Sequence, residues 1–82
     1  MLDTLISIGD TLKDIRETKG FHLQEVAEST SINYTSLSRI ETGKRLPTKP
    51  QVQSLAEFYS CSENDLIRRL ISDKILNEIQ NE

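Results

Sequence analysis

Residues Phe21 to Pro47 read FHLQEVAESTSINYTSLSRIETGKRLP. Two short helical patterns stand here on either side of a tight turn. The first runs from about Leu23 to Ser29. Phe21 ahead of it and Val26 within it are spaced as a hydrophobic staple around His22, and Glu25 can reach back to the His22 backbone. The small Ala27 lets another helix come close. The second pattern starts after Asn33, a favoured N-cap. Ile32 before the cap and Leu37 after it form another staple, and Leu37 and Ile40 point one way. Tyr34, Thr35, Ser38 and Arg39 are left on the other faces. Thr42-Gly43 ends the helix.

Outward from this core the chain is punctuated into three more helices. Before it, Ile8, Leu12 and Ile15 recur at helical spacing over about Ser7 to Lys19, and Gly20 stops the run. After it, Lys44 to Pro47 is a loop. Thr48 caps a fourth helix with Pro50 in its first turn, where a missing N–H costs little. Val52, Leu55, Ala56 and Tyr59 form its apolar stripe. Ser62 caps a fifth, carrying Leu66, Ile67, Leu70, Ile71, Ile75, Leu76 and Ile79. No strand pattern is evident. The expectation is an all-α fold of five helices, one domain over 1–82 with its core at about 7–71 and a helical extension over 72–82.

The 82 residues suit one small domain, which buries only about 60% of the surface its unfolded chain exposes. No apolar run approaches the ~20 residues of a membrane span. The first eight residues hold Asp3 and no basic side chain, so they do not read as a signal peptide, and a cytoplasmic location is expected. Cys61 is the single cysteine, which excludes an intramolecular disulfide; it reads as a small core residue. His22 has no Cys or His neighbour, so no metal site is expected. No nucleophile–base set, paired carboxylate site or phosphate-binding glycine loop is apparent, and neither enzyme activity, a cofactor nor a small-molecule ligand is expected.

The net charge of −3 hides an uneven distribution. Met1 to Ile32 carries three basic and six acidic residues, and Pro50 to Glu82 has the same balance. Between them, Arg39, Lys44, Arg45 and Lys49 face Glu41 alone. A basic island of this kind determines where a polyanion lands. A B-DNA major groove, ~12 Å wide, admits one helix, and the second helix of such a pair offers its N-terminal residues to base edges. Tyr34, Thr35, Ser38 and Arg39 are therefore the expected base readers. Arg39 can hold guanine O6 and N7 together. Gln24, Asn33, Ser36, Lys44, Arg45 and Lys49 are the expected phosphate contacts, and double-stranded DNA the expected partner.

The same residues resemble the Cro/phage-repressor (Xre) helix-turn-helix family from about Ile8 to Leu66. The matches are Val26-Ala27-Glu28, Ile32, Ser36, Leu37-Ser38-Arg39-Ile40-Glu41, Gly43-Lys44-Arg45, Pro47, Leu55-Ala56 and Leu66. The resemblance implies a lambda-repressor-like five-helix domain with base contacts at Tyr34, Thr35, Arg39 and often Ser38. It also implies that Arg16 in the first helix pairs with Glu41. His22-Leu23 stands where the family usually has Thr-Gln, a glutamine that braces the reading helix on a phosphate. That contact would then come from backbone or from Gln24. Thr30 replaces a usual Leu, implying looser packing at the turn, and Ser31 replaces a usual turn Gly.

The fifth segment has more apolar residues than one buried edge needs. Ile67, Ile71, Ile75 and Ile79 form an expected exposed stripe, and a second copy is its expected partner. Such a dimer presents two reading helices ~34 Å apart to a palindromic site. The leading functional expectation is a transcriptional regulator of the Cro-like repressor or restriction-modification controller type. An antitoxin, which binds both DNA and a toxin protein, is the alternative.

Overall fold

The computed structural model describes the backbone of residues 7–80 and the side chains through residue 76. The expected Ile79 contact lies outside the described side chains. Five helices follow in order: α1 (Ile8–Lys19), α2 (Leu23–Thr30), α3 (Tyr34–Glu41), α4 (Lys49–Tyr59) and α5 (Glu63–Gln80). No strand occurs among the described residues. No described helix is long and apolar enough to cross a membrane.

Local chemistry sets most helix ends. The Ser7 hydroxyl accepts from the Asp10 amide at 3.1 Å, and Gly20 closes α1 in the left-handed region at φ 81°. The Glu25 carboxylate accepts from the His22 amide at 2.8 Å. The Asn33 side-chain oxygen accepts from Thr35 and Ser36 amides at 2.8 and 3.3 Å. Thr48 and Gln51 exchange bonds reciprocally at the start of α4. The Ser62 hydroxyl accepts from the Asp65 amide at 3.2 Å. Each bond satisfies an amide that the first turn leaves without an intrahelical partner.

The apolar faces close on one core. Ile8, Leu12, Val26, Leu37, Ile40, Val52, Leu55 and Tyr59 are fully buried, with Leu66 and Leu70 of α5 beside them. Phe21 is half-buried against this core and lies on Phe58, with ring centroids 4.9 Å apart and planes tilted by 50°. Aromatic pairs favour such offset geometry. Cys61 is half-buried, and burial pushes its thiol pKa up.

Two contacts in the core come from residues far apart in sequence. Gly9 of α1 lies against the end of α3: a Cβ there would overlap the Ile40 carbonyl oxygen and stand 3.2 Å from that of Glu41. Only a glycine lets the helices approach this closely. At the start of α1, the Ile8 amide donates to the Asp73 carboxylate at 2.8 Å. Asp73 belongs to α5, so the C-terminal helix caps the first one. The segment 72–80 continues α5 without a break.

Of the expected exposed stripe on α5, Ile71 and Ile75 stand in solvent. Ile67 does not stand clear: it is half-buried and packs on the protein's own core. The reason is angular. Ile67 lies next in the helical sweep to the buried Leu66 and Leu70, whereas Ile71 and Ile75 have rotated away from them.

Candidate nucleic-acid interface

Helix α3 has two unlike sides. Its inner side carries Leu37, Ile40 and Glu41, all buried. Its outer side carries exposed Tyr34, Thr35 and Arg39, with Ser38 half-buried between them. These four residues line a shallow open concavity of about 400 Å³ together with Thr42 and Lys44. Four expected base readers therefore share one surface. Thr42 also lies on it, although the sequence reading assigned Thr42 only to helix termination. Its hydroxyl donates to the Ser38 carbonyl at 3.0 Å, which turns the side chain back along α3.

The loop after α3 is held close to the helix end. Gly43 takes φ 82°, a left-handed conformation that glycine adopts without steric cost. The Lys44 and Arg45 amides then both donate to the Arg39 carbonyl, at 2.9 and 3.3 Å. Those bonds return the chain beside α3. The Arg45 guanidinium reaches across to donate to the Ser36 hydroxyl at 3.3 Å. Two expected phosphate contacts, separated by nine residues, are thus neighbours. Lys44, Arg45 and Lys49 are all exposed.

At the other edge, Asn33 is exposed and its carboxamide oxygen is committed to the α3 cap. Leu23 is half-buried against the core, so it packs rather than braces. Gln24 is exposed, and its amide donates to the Glu28 carboxylate at 3.0 Å. The turn between α2 and α3 passes through Ser31 at φ 59°, ψ 25°, so the serine adopts the left-handed conformation that a glycine would take freely. The Thr30 hydroxyl donates to the Val26 carbonyl at 2.7 Å.

The inner side of α3 is anchored by charge. Arg16 Nε donates to Glu41 Oε2 at 2.8 Å and Nη2 to Oε1 at 3.0 Å. Nη1 donates to the Phe21 carbonyl at 2.9 Å. The guanidinium therefore ties α1, α3 and the start of the α2 approach together. The Glu41 side chain is 5% exposed and that of Arg16 14%. The bond to Glu41 raises the Arg16 pKa above its ordinary value, against the opposing effect of burial. A two-point fork of this type fixes angle as well as distance. Gly9 supplies a second point of contact on the same end of α3. Sequence spacing had no signal for Gly9, which is a small residue inside an otherwise ordinary helix.

A family described as a helix-turn-helix domain matches residues 7–70. The chain belongs to the helix-turn-helix domain family. That span takes in α1 to α4 and the first half of α5, and it contains the residues that carry the Cro/phage-repressor resemblance. The chain is also 31% identical over 58 residues to the HTH-type transcriptional regulator DdrOP3 of Deinococcus deserti. The alignment covers 71% of this chain and 45% of that relative, so the chain spans less than half the relative's length. No solved structure matches.

Proposed function

We propose that this helix-turn-helix protein is a non-enzymatic transcriptional regulator that reads a palindromic DNA operator as a dimer. The helix starting at Asn33 does the reading. One observation carries this: Tyr34, Thr35, Ser38 and Arg39 share the open side of α3, beside exposed Lys44, while the opposite side is locked to α1. A rigid helix with polar tips and a basic border has the shape and charge that a major groove takes. Arg39 reads a guanine, and Tyr34 and Thr35 offer hydroxyls and apolar surface to neighbouring bases. Lys44, Arg45, Lys49, Ser36, Asn33 and Gln24 meet phosphates. Family membership and the regulator-named relative support the same reading.

A binding selection on random double-stranded DNA tests it and reports both site sequence and half-site spacing. Arg39→Ala is expected to relax preference at one base per half-site, a loss of about 1–3 kcal/mol of discrimination. Lys44→Ala is expected to weaken all sequences alike and to lower the salt slope by about 1. Retention with no salt dependence, or no enriched sequence, would overturn the reading. Co-purification of a toxin polypeptide on the α5 surface would favour the antitoxin role instead.

A further inference from the structure

Helix α3 has a flank as well as an outer side. At about 100° per residue, Ser36 lies about 60° round the helix from Arg39, off the base-reading side. A helix seated in a major groove turns its outer side to base edges and its flanks to the walls, where the phosphates are. Arg45 reaches this flank from the loop, and its Nη1 donates to Ser36 Oγ at 3.3 Å. Arg45 is held there at a second point. Its amide donates to the Arg39 carbonyl at 3.3 Å, and the Lys44 amide donates to the same oxygen at 2.9 Å. The guanidinium is thus placed by the backbone as well as by its own hydrogen bond.

Donors and acceptors in this pair do not balance. A serine hydroxyl has one proton to give and can accept from two donors. The hydroxyls of Thr11, Thr30 and Thr42 each donate to the carbonyl four residues back. The Ser36 hydroxyl accepts from Arg45, and among the described residues it donates to no protein acceptor. The guanidinium has five N–H groups and spends one of them on Ser36. The ion pairs among the described residues involve Arg16, and none reaches Arg45. What remains is a hydroxyl proton beside a full positive charge, with no acceptor for either.

We infer that the Ser36 hydroxyl and the Arg45 guanidinium form one site that holds a single DNA backbone phosphate. The inference rests on the DNA-reading role proposed above and joins two of its phosphate contacts into one. Phosphate oxygens only accept, and the fork of a guanidinium matches two of them. Ser36 goes on accepting from Arg45 while its proton passes to the same phosphate. The guanidinium is aimed before DNA arrives, so little side-chain freedom is lost on binding. Ser36 belongs to α3, and the loop is bonded to the Arg39 carbonyl. The shared phosphate therefore fixes how α3 sits in the groove, and Ser36 is a positioning residue for Arg39.

Methylphosphonate scanning tests this. The probe is a duplex carrying the parent protein's selected site, with one backbone phosphate at a time replaced by an uncharged methylphosphonate. Circular dichroism confirms that each variant folds. On unmodified DNA, Ser36→Ala is expected to weaken binding about tenfold with the salt slope unchanged, since it removes a hydrogen bond and no charge. Arg45→Ala is expected to weaken binding further and to lower the salt slope by about 0.9. At one backbone position per half-site, the same for both variants, each substitution is expected to cost less than about twofold, because the group it served is gone. Different positions for the two variants, undiminished effects at every position, or a Ser36→Ala protein that binds like the parent would overturn the inference and leave base reading by α3 standing. A parent protein with no salt-dependent DNA binding would overturn the DNA-reading role itself, and this inference with it.

Discussion

Replacing Glu41 by alanine removes the acceptor of two charge-assisted hydrogen bonds, at 2.8 and 3.0 Å, and leaves Arg16 facing the space. Breaking a buried ion pair from one side costs about 3–5 kcal/mol, most of it from the charge left behind. Arg16 retains its bond to the Phe21 carbonyl and a side chain that is 14% exposed, so water can reach part of it. That places the expected loss at the lower end, about 3 kcal/mol. For a domain of this size each kcal/mol moves the midpoint by about 4–8 °C, so Tm should fall by about 15 °C. Thermal unfolding followed by far-ultraviolet circular dichroism measures this directly. Glu41→Gln keeps one acceptor and the shape, and should lose less. Arg16→Met with Glu41→Leu replaces both charges by apolar groups, and should recover much of the loss, because an apolar pair carries no desolvation penalty. An unchanged Tm in Glu41→Ala would refute the reasoning. So would equal stability of Glu41→Ala and the doubly apolar variant, since stranding of the Arg16 charge would then have no effect.

Three further outcomes follow from geometry elsewhere. Gly9→Ala should destabilise by about 2 kcal/mol, since the new methyl overlaps backbone oxygen and outweighs alanine's helix preference of about 1 kcal/mol; urea titration measures it, and a stabilised variant would disprove close seating of α1 on α3. Ser31→Gly should stabilise by about 0.5–1 kcal/mol, because relief of a left-handed serine, about 1–2 kcal/mol, exceeds the entropy glycine adds to the unfolded chain; a lowered Tm would count against it. Burial, followed by the Glu41 charge, pushes the Tyr59 hydroxyl pKa from its ordinary 10.0 up to about 12. The folded state therefore holds that proton more tightly than the unfolded one. The resulting stability is present below about pH 10 and is lost as pH rises through 12. Urea midpoints measured across that window should fall more steeply in the parent protein than in Tyr59→Phe; parallel curves would show that Tyr59 does not contribute.

Much of this protein is encoded within single turns of chain. The caps at Ser7, Asn33, Thr48 and Ser62 join residues two or three positions apart, so their sequence pattern already contains the interaction. The same holds for the apolar periodicity that buries Leu37 and Ile40 and leaves Tyr34, Thr35 and Arg39 outside. The helix-turn-helix and the outward side of α3 were legible for that reason. Ser31 shows the limit of local rules: the turn keeps its left-handed geometry with a residue that pays a steric penalty for it, because the packing of α2 against α3 outweighs one unfavourable dihedral.

Contacts across the fold follow a different logic. Ile67 and Ile71 look alike in sequence, yet one packs on the core and the other meets solvent, because the rotation of α5 is set by where Leu66 and Leu70 dock. The capping of Ile8 by Asp73 spans 65 residues, and the seating of Gly9 on Ile40 spans about thirty. No periodicity reports a bond between elements whose relative placement is unknown. Sequence alone determined the five helices, the order of their caps and the outward side of α3. Tertiary packing decided how α1 is seated in that arrangement, Gly9 against the end of α3 and the Ile8 amide on Asp73 of α5, because such contacts exist only once the whole core has fixed the distances between helices.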